Sequence, residues 1–396
     1  MVDLRRARNT LLFTVFLDLL GFGIVIPLLP LYATKLHASH AAIGWLMAIY
    51  SIMQLIFAPI LGRLSDRTGR RPTLLISIAG SALSQFGYAL APSFGWLVVA
   101  RGFAGLCGAN ITAAQAYIAD ITDEQSRAAG MGMLGAALGL GFVFGPALGG
   151  VLAKYSMTLP FWVAGALAAA NLGSALAFLS EPRPPHLRAP ARTLTWTGLL
   201  DAVVSPTLRR TLLLYFLVTF SFTNLEATFS VFLHDRFGFE EAHVGYLFAF
   251  IGVTIFVVQG GLVKKLVPRF GERALVVVGT LLMAVGLLWQ AESHSLTTLI
   301  LAVGIIAVGN ALNTPSLTAL ISRAAAAHHQ GGVLGVAQSL GALARATGPL
   351  VGMWLYHVRI DWPYVAGSLL MALGCLYAYV LVRQPDQPVR QPDAAG

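Results

Sequence analysis

Twelve apolar stretches, each long enough to cross a bilayer as a helix, occupy most of the chain. A crossing helix needs about 20 apolar residues for a hydrocarbon core about 30 Å thick. The candidate spans are 10–32, 41–62, 72–91, 94–118, 129–153, 159–179, 211–233, 243–263, 274–291, 296–321, 332–356 and 362–382. A lipid-facing barrel strand is about 10 residues long and alternates strictly; these runs are longer and apolar all round. The expected fold is therefore an all-α membrane protein. Composition excludes soluble alternatives. Of 396 residues 57% are hydrophobic and 11% charged, against about 25% charged in a soluble domain. Too few charges remain to cover a water-facing surface, as a soluble enzyme or secreted scaffold requires. Cys107 and Cys375 lie inside apolar runs, so neither a disulfide framework nor a metal site is expected. The first run has a basic flank but is too long for a cleavable signal, carries Asp18 and lacks a small-x-small site after it.

The loops fix an expected orientation. With the N-terminus inside, 20 of the 26 Lys and Arg residues fall in cytoplasmic segments. Lys35, Lys154, Arg236 and Arg359 fall outside, and Arg101 and Arg345 lie within spans. This is the positive-inside pattern, with both termini cytoplasmic in the cell (inner) membrane. It accounts for the formal charge of +9 without a nucleic-acid partner. The lipid bilayer is the expected surrounding, and the chain is expected to be a monomer.

The longest loop, Ser180–Arg210, is rich in Pro and Arg and separates six spans from six. The expected organisation is an N-terminal six-helix bundle over 1–180, a cytoplasmic loop over 181–210, a C-terminal bundle over 211–382 and a disordered tail over 383–396. A short surface helix is expected at Thr195–Val204. The halves echo each other. Gly132, Gly145, Pro146 and Gly149 recur 203 residues later as Gly335, Gly348, Pro349 and Gly352. Gly44-Trp45 recurs as Gly245-Tyr246, and Val163-Ala164-Gly165 as Val365-Ala366-Gly367. Repeats of six spans are parallel, related by an axis along the membrane normal, with a binding site near the midplane. The resulting fold is twelve transmembrane helices in two pseudo-symmetric six-helix bundles.

The loop after the second span reads Gly62-Arg-Leu-Ser-Asp66-Arg-Thr-Gly69-Arg70-Arg71-Pro72. It resembles the G-x-L-a-D-r-x-G-r-k-p signature of the major facilitator superfamily. Arg101-Gly-Phe-Ala-Gly105-Leu-Cys-Gly108-Ala109 is similar to that family's R-x-x-x-G-x-x-x-A element. Gly141-Phe-Val-Phe-Gly145-Pro146-Ala-Leu-Gly149-Gly150 resembles the motif of drug:proton antiporters. Leu17-Asp18-Leu-Leu-Gly21-Phe-Gly23 through Pro27 and Pro30, with Ala116-Tyr-Ile-Ala-Asp120, resembles the tetracycline-efflux branch. The resemblance implies that Gly62, Asp66, Gly69, Arg70 and Asp120 form a cytoplasmic gate. There Asp66 and Arg70 would meet Asp120 and the start of span eleven, where a helix N-terminus favours an acid. A solvated loop whose arginines only set topology is the plainer alternative. The matching loop of the second half, Lys264 to Arg273, has no acid at the Asp66 position, so a matching second gate is not expected. Gly141, Gly145, Pro146 and Gly149, with Gly348 and Pro349 in the second half, are expected to form a close-packed helix seam where the halves rock. Ordinary transmembrane packing is the alternative.

Asp18, Arg101, Glu226 and Arg345 are the ionisable residues deep in spans. Charges in a membrane are expensive and mark a cavity or a partner. At 1.5 Å per residue, Asp18 lies roughly 13 Å from the inner face, Arg101 and Arg345 roughly 20 Å, and Glu226 roughly 22 Å. Asp18 and Glu226 are the expected proton-coupling residues. Desolvation favours a neutral acid and an opposing cation an ionised one, a balance that suits a proton carrier. Permanent structural pairs with Arg101 and Arg345 are the alternative. Polar residues on single helix faces point to a shared substrate cavity of Tyr50, Gln54, Arg101, Thr112, Gln115, Thr223, Asn310, Asn313, Gln338 and Arg345. Spans eight and nine carry Gln259 and Gln290 but no His or Asp, a departure from tetracycline carriers.

The expected function is secondary active transport: export of small lipophilic compounds or drugs in exchange for protons. A facilitator or symporter for a metabolite or organic anion is the alternative that Arg345 motivates. A receptor or scaffold that keeps the fold without transport is the alternative from another class. No G-x-x-x-x-G-K-[ST] occurs, so ATP is not the expected power source. No cofactor and no enzymatic chemistry are expected.

Overall fold

The computed structural model describes residues 4–108, 110–122, 127–182, 206–324 and 330–382. The expected surface helix Thr195–Val204 and the tail 383–396 lie outside the described residues. The helices are α1 Leu4–Lys35, α2 His40–Thr68, α3 Arg70–Ala89, α4 Phe94–Cys107, α5 Asn110–Ile121, α6 Arg127–Ala153 and α7 Leu159–Phe178. There follow α8 Pro206–Phe237, α9 Glu241–Val257, a π turn at Val258–Leu262, α10 Val263–Ala291, α11 Leu296–Ala324, α12 Gln330–Val358 and α13 Trp362–Val382. No strand occurs among the described residues.

These helices make twelve spans. The fourth is α4 and α5, interrupted at Gly108. The eighth and ninth share the continuous run Glu241–Ala291, which Gly271 divides with a left-handed backbone (φ 76°). Length and apolarity alone mark eight crossing stretches, that long run among them. The third span falls short because Ser77, Ser81, Ser84 and Gln85 lie on it, the fourth because its helix is broken, and the eleventh, α12, carries Gln338, Ser339 and Arg345. Large apolar side chains such as Leu83, Val99, Trp354 and Leu376 stand exposed. Only lipid would accommodate so much apolar surface. The protein is a multi-pass, all-α membrane protein.

The face where α1 begins also carries the Arg-rich turn between α2 and α3, and is called the basic face below; the other is the far face. By packing, the described residues fall into two units. The first comprises those of Met1–Arg192, Thr223–Phe256 and Arg345–Pro363. In it α1 packs on α6 and α7, α3 on α7, and α2 on α4. Near the basic face its core is Leu11, Val15, Leu74, Ile78, Tyr117, Leu134, Ala175 and Leu179. The second comprises those of Thr193–Phe222, Val257–Ala344 and Tyr364–Gly396. In it α10 packs on α11, where a Cβ at Gly309 would stand 2.6 Å from the Gly279 carbonyl oxygen. Leu208, Leu212, Ile321, Val333 and Ala337 form a second core there.

Candidate functional site

At the turn from α2 to α3 the chain must reverse within one residue. Gly69 does so with φ 115° and ψ 163°, a backbone that side chains rarely adopt. Arg70 then starts α3 almost fully buried. Its Nη1 lies 2.8 Å from Asp66 Oδ1, and its Nε donates to Asp120 Oδ2 of α5 at 3.0 Å. Nη1 also donates to Ser65 Oγ at 3.0 Å. A buried guanidinium is tolerable only with such partners, and removing one leaves an uncompensated charge costing about 3–5 kcal/mol. The structure thus brings together Asp66, Gly69, Arg70 and Asp120. Gly62 stands apart, with open space around its Cβ position. The start of span eleven at 325–329 lies outside the described residues.

Sequence reasoning missed Glu181, just beyond α7. Its two carboxylate oxygens accept hydrogen bonds from the backbone N–H groups of Arg70 and Arg71, both at 2.9 Å. It thereby caps the exposed donors of α3, at the positive end of the helix dipole. A Cβ on Gly69 would collide with Glu181 Oε2. Arg71 completes the tie, donating to the Leu179 carbonyl at 2.7 Å and the Leu176 carbonyl at 2.8 Å. The available signal was position alone: an acid at the end of an apolar span facing a run of arginines.

A second ion pair was also missed. Immediately after Gly271, Glu272 forms a two-bond pair with Arg323 of α11, at 2.7 and 3.1 Å. Gly271 and Glu272 stand 202 residues after Gly69 and Arg70, and Arg323 stands 203 after Asp120. The second half therefore repeats the glycine turn and the ion pair with the charges exchanged. No acid is needed at the Asp66 position, because the acid occupies the position of Arg70.

The four membrane charges all lie in the first unit. Asp18 accepts a hydrogen bond from Ser81 Oγ of α3 at 2.9 Å. The Arg101 guanidinium lies over the Tyr50 ring at 4.6 Å and the Phe22 ring at 5.6 Å. Its Nε is buried without a hydrogen-bond partner. Glu226 feels the charges of both Arg101 and Arg345, and the Tyr50 phenol feels Arg101, Asp18 and Arg345. The geometry is an arginine framed by two aromatic rings, with Glu226 and Arg345 within electrostatic reach of it.

The remaining expected cavity residues divide. Gln54 Nε2 donates to the Gly108 carbonyl at 2.8 Å, satisfying an acceptor released where span four breaks. Thr223 is buried and Gln115 exposed, while the side chain of Thr112 lies outside the described residues. In the second unit Asn313 is fully buried and donates to Met283 Sδ at 3.4 Å. Asn310 is half-buried and Gln338 exposed.

The seam glycines act in two directions. A Cβ on Gly141 or Gly145 would meet the α1 backbone, at 2.9 Å from Leu20 N and 2.6 Å from Leu20 O respectively. Gly149 abuts Ile24 of α1 at 3.2 Å. These residues, with Pro146 against Gly23, seal span five on span one. In the second half Gly352 abuts Asn224 of α8; Pro349 presents its carbonyl to Gly44 of α2, and Gly348 is buried beside it. At the far face Lys35 Nζ pairs with Glu241 Oε1 at 2.6 Å, Tyr356 OH donates to Asp235 Oδ2 at 2.8 Å, and His40 rests edge-on against Tyr356 at 5.1 Å.

This architecture has known counterparts. The sequence model of the Major Facilitator Superfamily matches residues 11–270 and 262–396. The chain is 33% identical to tetracycline resistance protein, class C, of Escherichia coli, over 92% of this chain and 94% of that one. It is 32% identical to major facilitator superfamily domain-containing protein 10 of Bos taurus, over 91% and 90%. The crystal structure of the human organic anion transporter MFSD10 matches with a TM-score of 0.72 at 28% identity, covering 96% of this chain and all of that one. A bacterial homologue of the human lysosomal transporter Spinster shares the fold at 16% identity, with a TM-score of 0.77. The chain is a transporter-fold protein, not an enzyme, and it belongs to the major facilitator superfamily.

Proposed function

We propose that the protein exports small lipophilic compounds from the cell in exchange for protons, by alternating access. The observation that carries this reading is the cluster in the membrane. There the Arg101 guanidinium stacks on the Tyr50 and Phe22 rings, and Glu226 stands within electrostatic reach of Arg101 and Arg345. Acids held between a desolvating membrane and nearby cations are able to change protonation as their surroundings change. In this reading Asp18 and Glu226 carry the exchanged proton, and the aromatic frame of Tyr50 and Phe22 receives apolar substrate. The kinship with tetracycline and multidrug resistance proteins supports export of drug-like compounds.

The basic face is cytoplasmic in this proposal, following the arginine bias of the loops, and the protein works as a monomer in the inner membrane. Residues 1–180 and 211–382 act as two six-helix bundles. The cluster of Asp66, Arg70, Asp120 and Glu181 gates the cytoplasmic side, and the Glu272–Arg323 pair is its counterpart in the second half. A second reading, transport of an organic anion, is favoured by two arginines within the spans, Arg101 and Arg345, and by the similarity to MFSD10.

The test is transport by the full chain in proteoliposomes, with ethidium as a lipophilic cation, tetracycline, and carboxyfluorescein as an organic anion, each with and without a pH gradient. The proposal expects ethidium or tetracycline to accumulate only with the gradient. Accumulation of carboxyfluorescein alone supports the second reading, and movement of none of them contradicts both.

A further inference from the structure

Helices α1 and α3 both start at the basic face and run parallel. Two hydrogen bonds fix their register. Ser81 Oγ donates to Asp18 Oδ1 at 2.9 Å, an offset of 63 residues, and Gln85 Nε2 donates to the Gly21 carbonyl at 3.2 Å, an offset of 64. One turn nearer the basic face, the same register sets Thr14 opposite Ser77. Their side chains are 2% and 0% exposed, and neither hydroxyl oxygen has a hydrogen-bond partner. Asn171 of α7 closes the third side. Its Nδ2 donates to the Thr14 carbonyl at 3.2 Å, while its Oδ1 has no partner, and neither has Gln85 Oε1. One turn further, Leu11 and Leu74 take the next rung, packed with Ala175 and Leu179.

A buried polar atom left unsatisfied costs about 1–3 kcal/mol, and native proteins satisfy nearly all of them. Four such atoms line one seam next to a carboxylate. A buried water makes about 2–4 hydrogen bonds, which these groups supply in donors and acceptors along two helical turns. We propose that Thr14, Ser77 and Asn171 hold a short file of water molecules that reaches Asp18 from between α1, α3 and α7, with Gln85 bounding it on the far side of Asp18. The file carries the Asp18 proton toward the basic face, on a route separate from Arg101 and Glu226. The proposal rests on the proton-coupling reading of Asp18 above. In the step, the Asp18 carboxylic acid O–H bond breaks and the proton passes to the adjacent water. That water becomes hydronium and hands a proton to the next, and the carboxylate left behind keeps the Ser81 hydrogen bond. Leu11 and Leu74 close the inner end, so release requires that apolar rung to part.

The titratable group facing Asp18 from α2 is the Tyr50 phenol, with Arg101 of α4 stacked on that ring. At this depth α3 contributes Ser77, Ser81 and Gln85, and α7 contributes Asn171. Helix α6 has no ionisable residue beyond Arg127, and α5 has Tyr117 and Asp120, near the basic face.

The decisive experiment is pH-titrated infrared difference spectroscopy of the full chain in liposomes. It follows the carboxylic acid C=O band that disappears in Asp18→Asn. Ser77→Ala and Thr14→Val should move the midpoint of that band toward alkaline pH by about tenfold in proton concentration, because a less hydrated carboxylate ionises less readily. They should also remove the signal of weakly bonded internal water. Thr14→Ser and Ser77→Thr, which keep the hydroxyl, should restore both. A midpoint and water signal unmoved in Ser77→Ala and Thr14→Val would overturn the water route. So would failure of both variants to fold while the hydroxyl-keeping variants fold, since the hydroxyls would then be structural. Absence of any titrating band lost in Asp18→Asn would overturn the underlying proton reading of Asp18, and the route with it.

Discussion

Gly150 and Gly245 touch backbone to backbone: a Cβ on Gly245 would lie 2.6 Å from the Gly150 Cα, and one on Gly150 would lie 2.9 Å from the Gly245 Cα. The contact joins span five of the first half to span eight of the second. The internal repeat supplies its twin. Gly44 stands 201 residues before Gly245, and its Cβ position lies 3.0 Å from the Pro349 carbonyl and 3.1 Å from Met353 Cβ, the residues 203 beyond Pro146 and Gly150. Two crossings related by the duplication thus bring the first-half and second-half spans together.

Filling either crossing should open it. Overpacking a tight helix contact costs about 1–3 kcal/mol, so Gly245→Leu should favour the state in which spans five and eight separate at the far face. Spin labels at the half-buried position 38 and the exposed position 240 should report longer distances than in the wild type. Ala38 and Glu240 flank the Lys35–Glu241 pair, so an unchanged distribution would mean that this contact is not a closing seam.

The charge-exchanged pair makes a sharper prediction. Glu272→Arg alone should place two cations together, and Arg323→Glu two anions. Transport should fall in each single variant and recover substantially in the double variant, which restores opposite charges in reversed order. Measured rates that fall further in the double variant would mean that the positions matter for something other than the pair.

Glu181 should matter through both groups it touches. Losing a cap costs about 1 kcal/mol, so Glu181→Ala should lower the thermal unfolding midpoint in detergent. Gly69→Ala should be worse, because it combines left-handed strain with the collision against Glu181. The double variant should lose less than the sum of the two, since removing the carboxylate relieves the collision but not the strain. Strict additivity would argue against the contact.

The far-face pair should be indifferent to pH in the ordinary range. Burial pushes the Glu241 carboxyl up, but the Lys35 hydrogen bond, its own backbone amide and the charges of Lys35 and His234 outweigh this and hold it below the ordinary 4.5. A depressed carboxyl stabilises the paired state above its unpaired value and loses that effect as pH falls through the lower, paired one. The 38–240 distance should therefore stay constant from about pH 8 to about pH 5 and lengthen only below the ordinary carboxylate range. Lys35 is half exposed, so Lys35→Ala should change it only modestly, as exposed pairs contribute about 0.2–1 kcal/mol.

Much of this was legible in the sequence, for reasons that differ by residue. Apolar runs of crossing length fix the spans, because lipid leaves the backbone few options. That Asp66 and Arg70 would meet Asp120 was legible through the resemblance of the Gly62–Pro72 loop to a family signature; the residues alone left a solvated loop open. The Glu272–Arg323 pair escaped because exchanging the charges hides a repeat from any comparison of residue identity, although Gly271 kept its register. Helical spacing puts Thr14 and Asp18 on one face of α1, but spacing does not say which neighbour a face meets. That α3 supplies Ser77 and Ser81 follows only from the register of two parallel helices. Glu181 contacts residues more than 100 positions away, and nothing local announces it.

The central claim is that export is driven by a proton carried on the membrane acids. It is tested most directly by proton flux in proteoliposomes containing trapped pyranine, recorded while ethidium moves down its gradient. Wild-type protein should move protons opposite to ethidium. Glu226→Gln should move none while still exchanging labelled for unlabelled ethidium, because rocking of the halves does not require the charge. Proton counterflow at the wild-type ratio in Glu226→Gln and in Asp18→Asn alike would contradict the account.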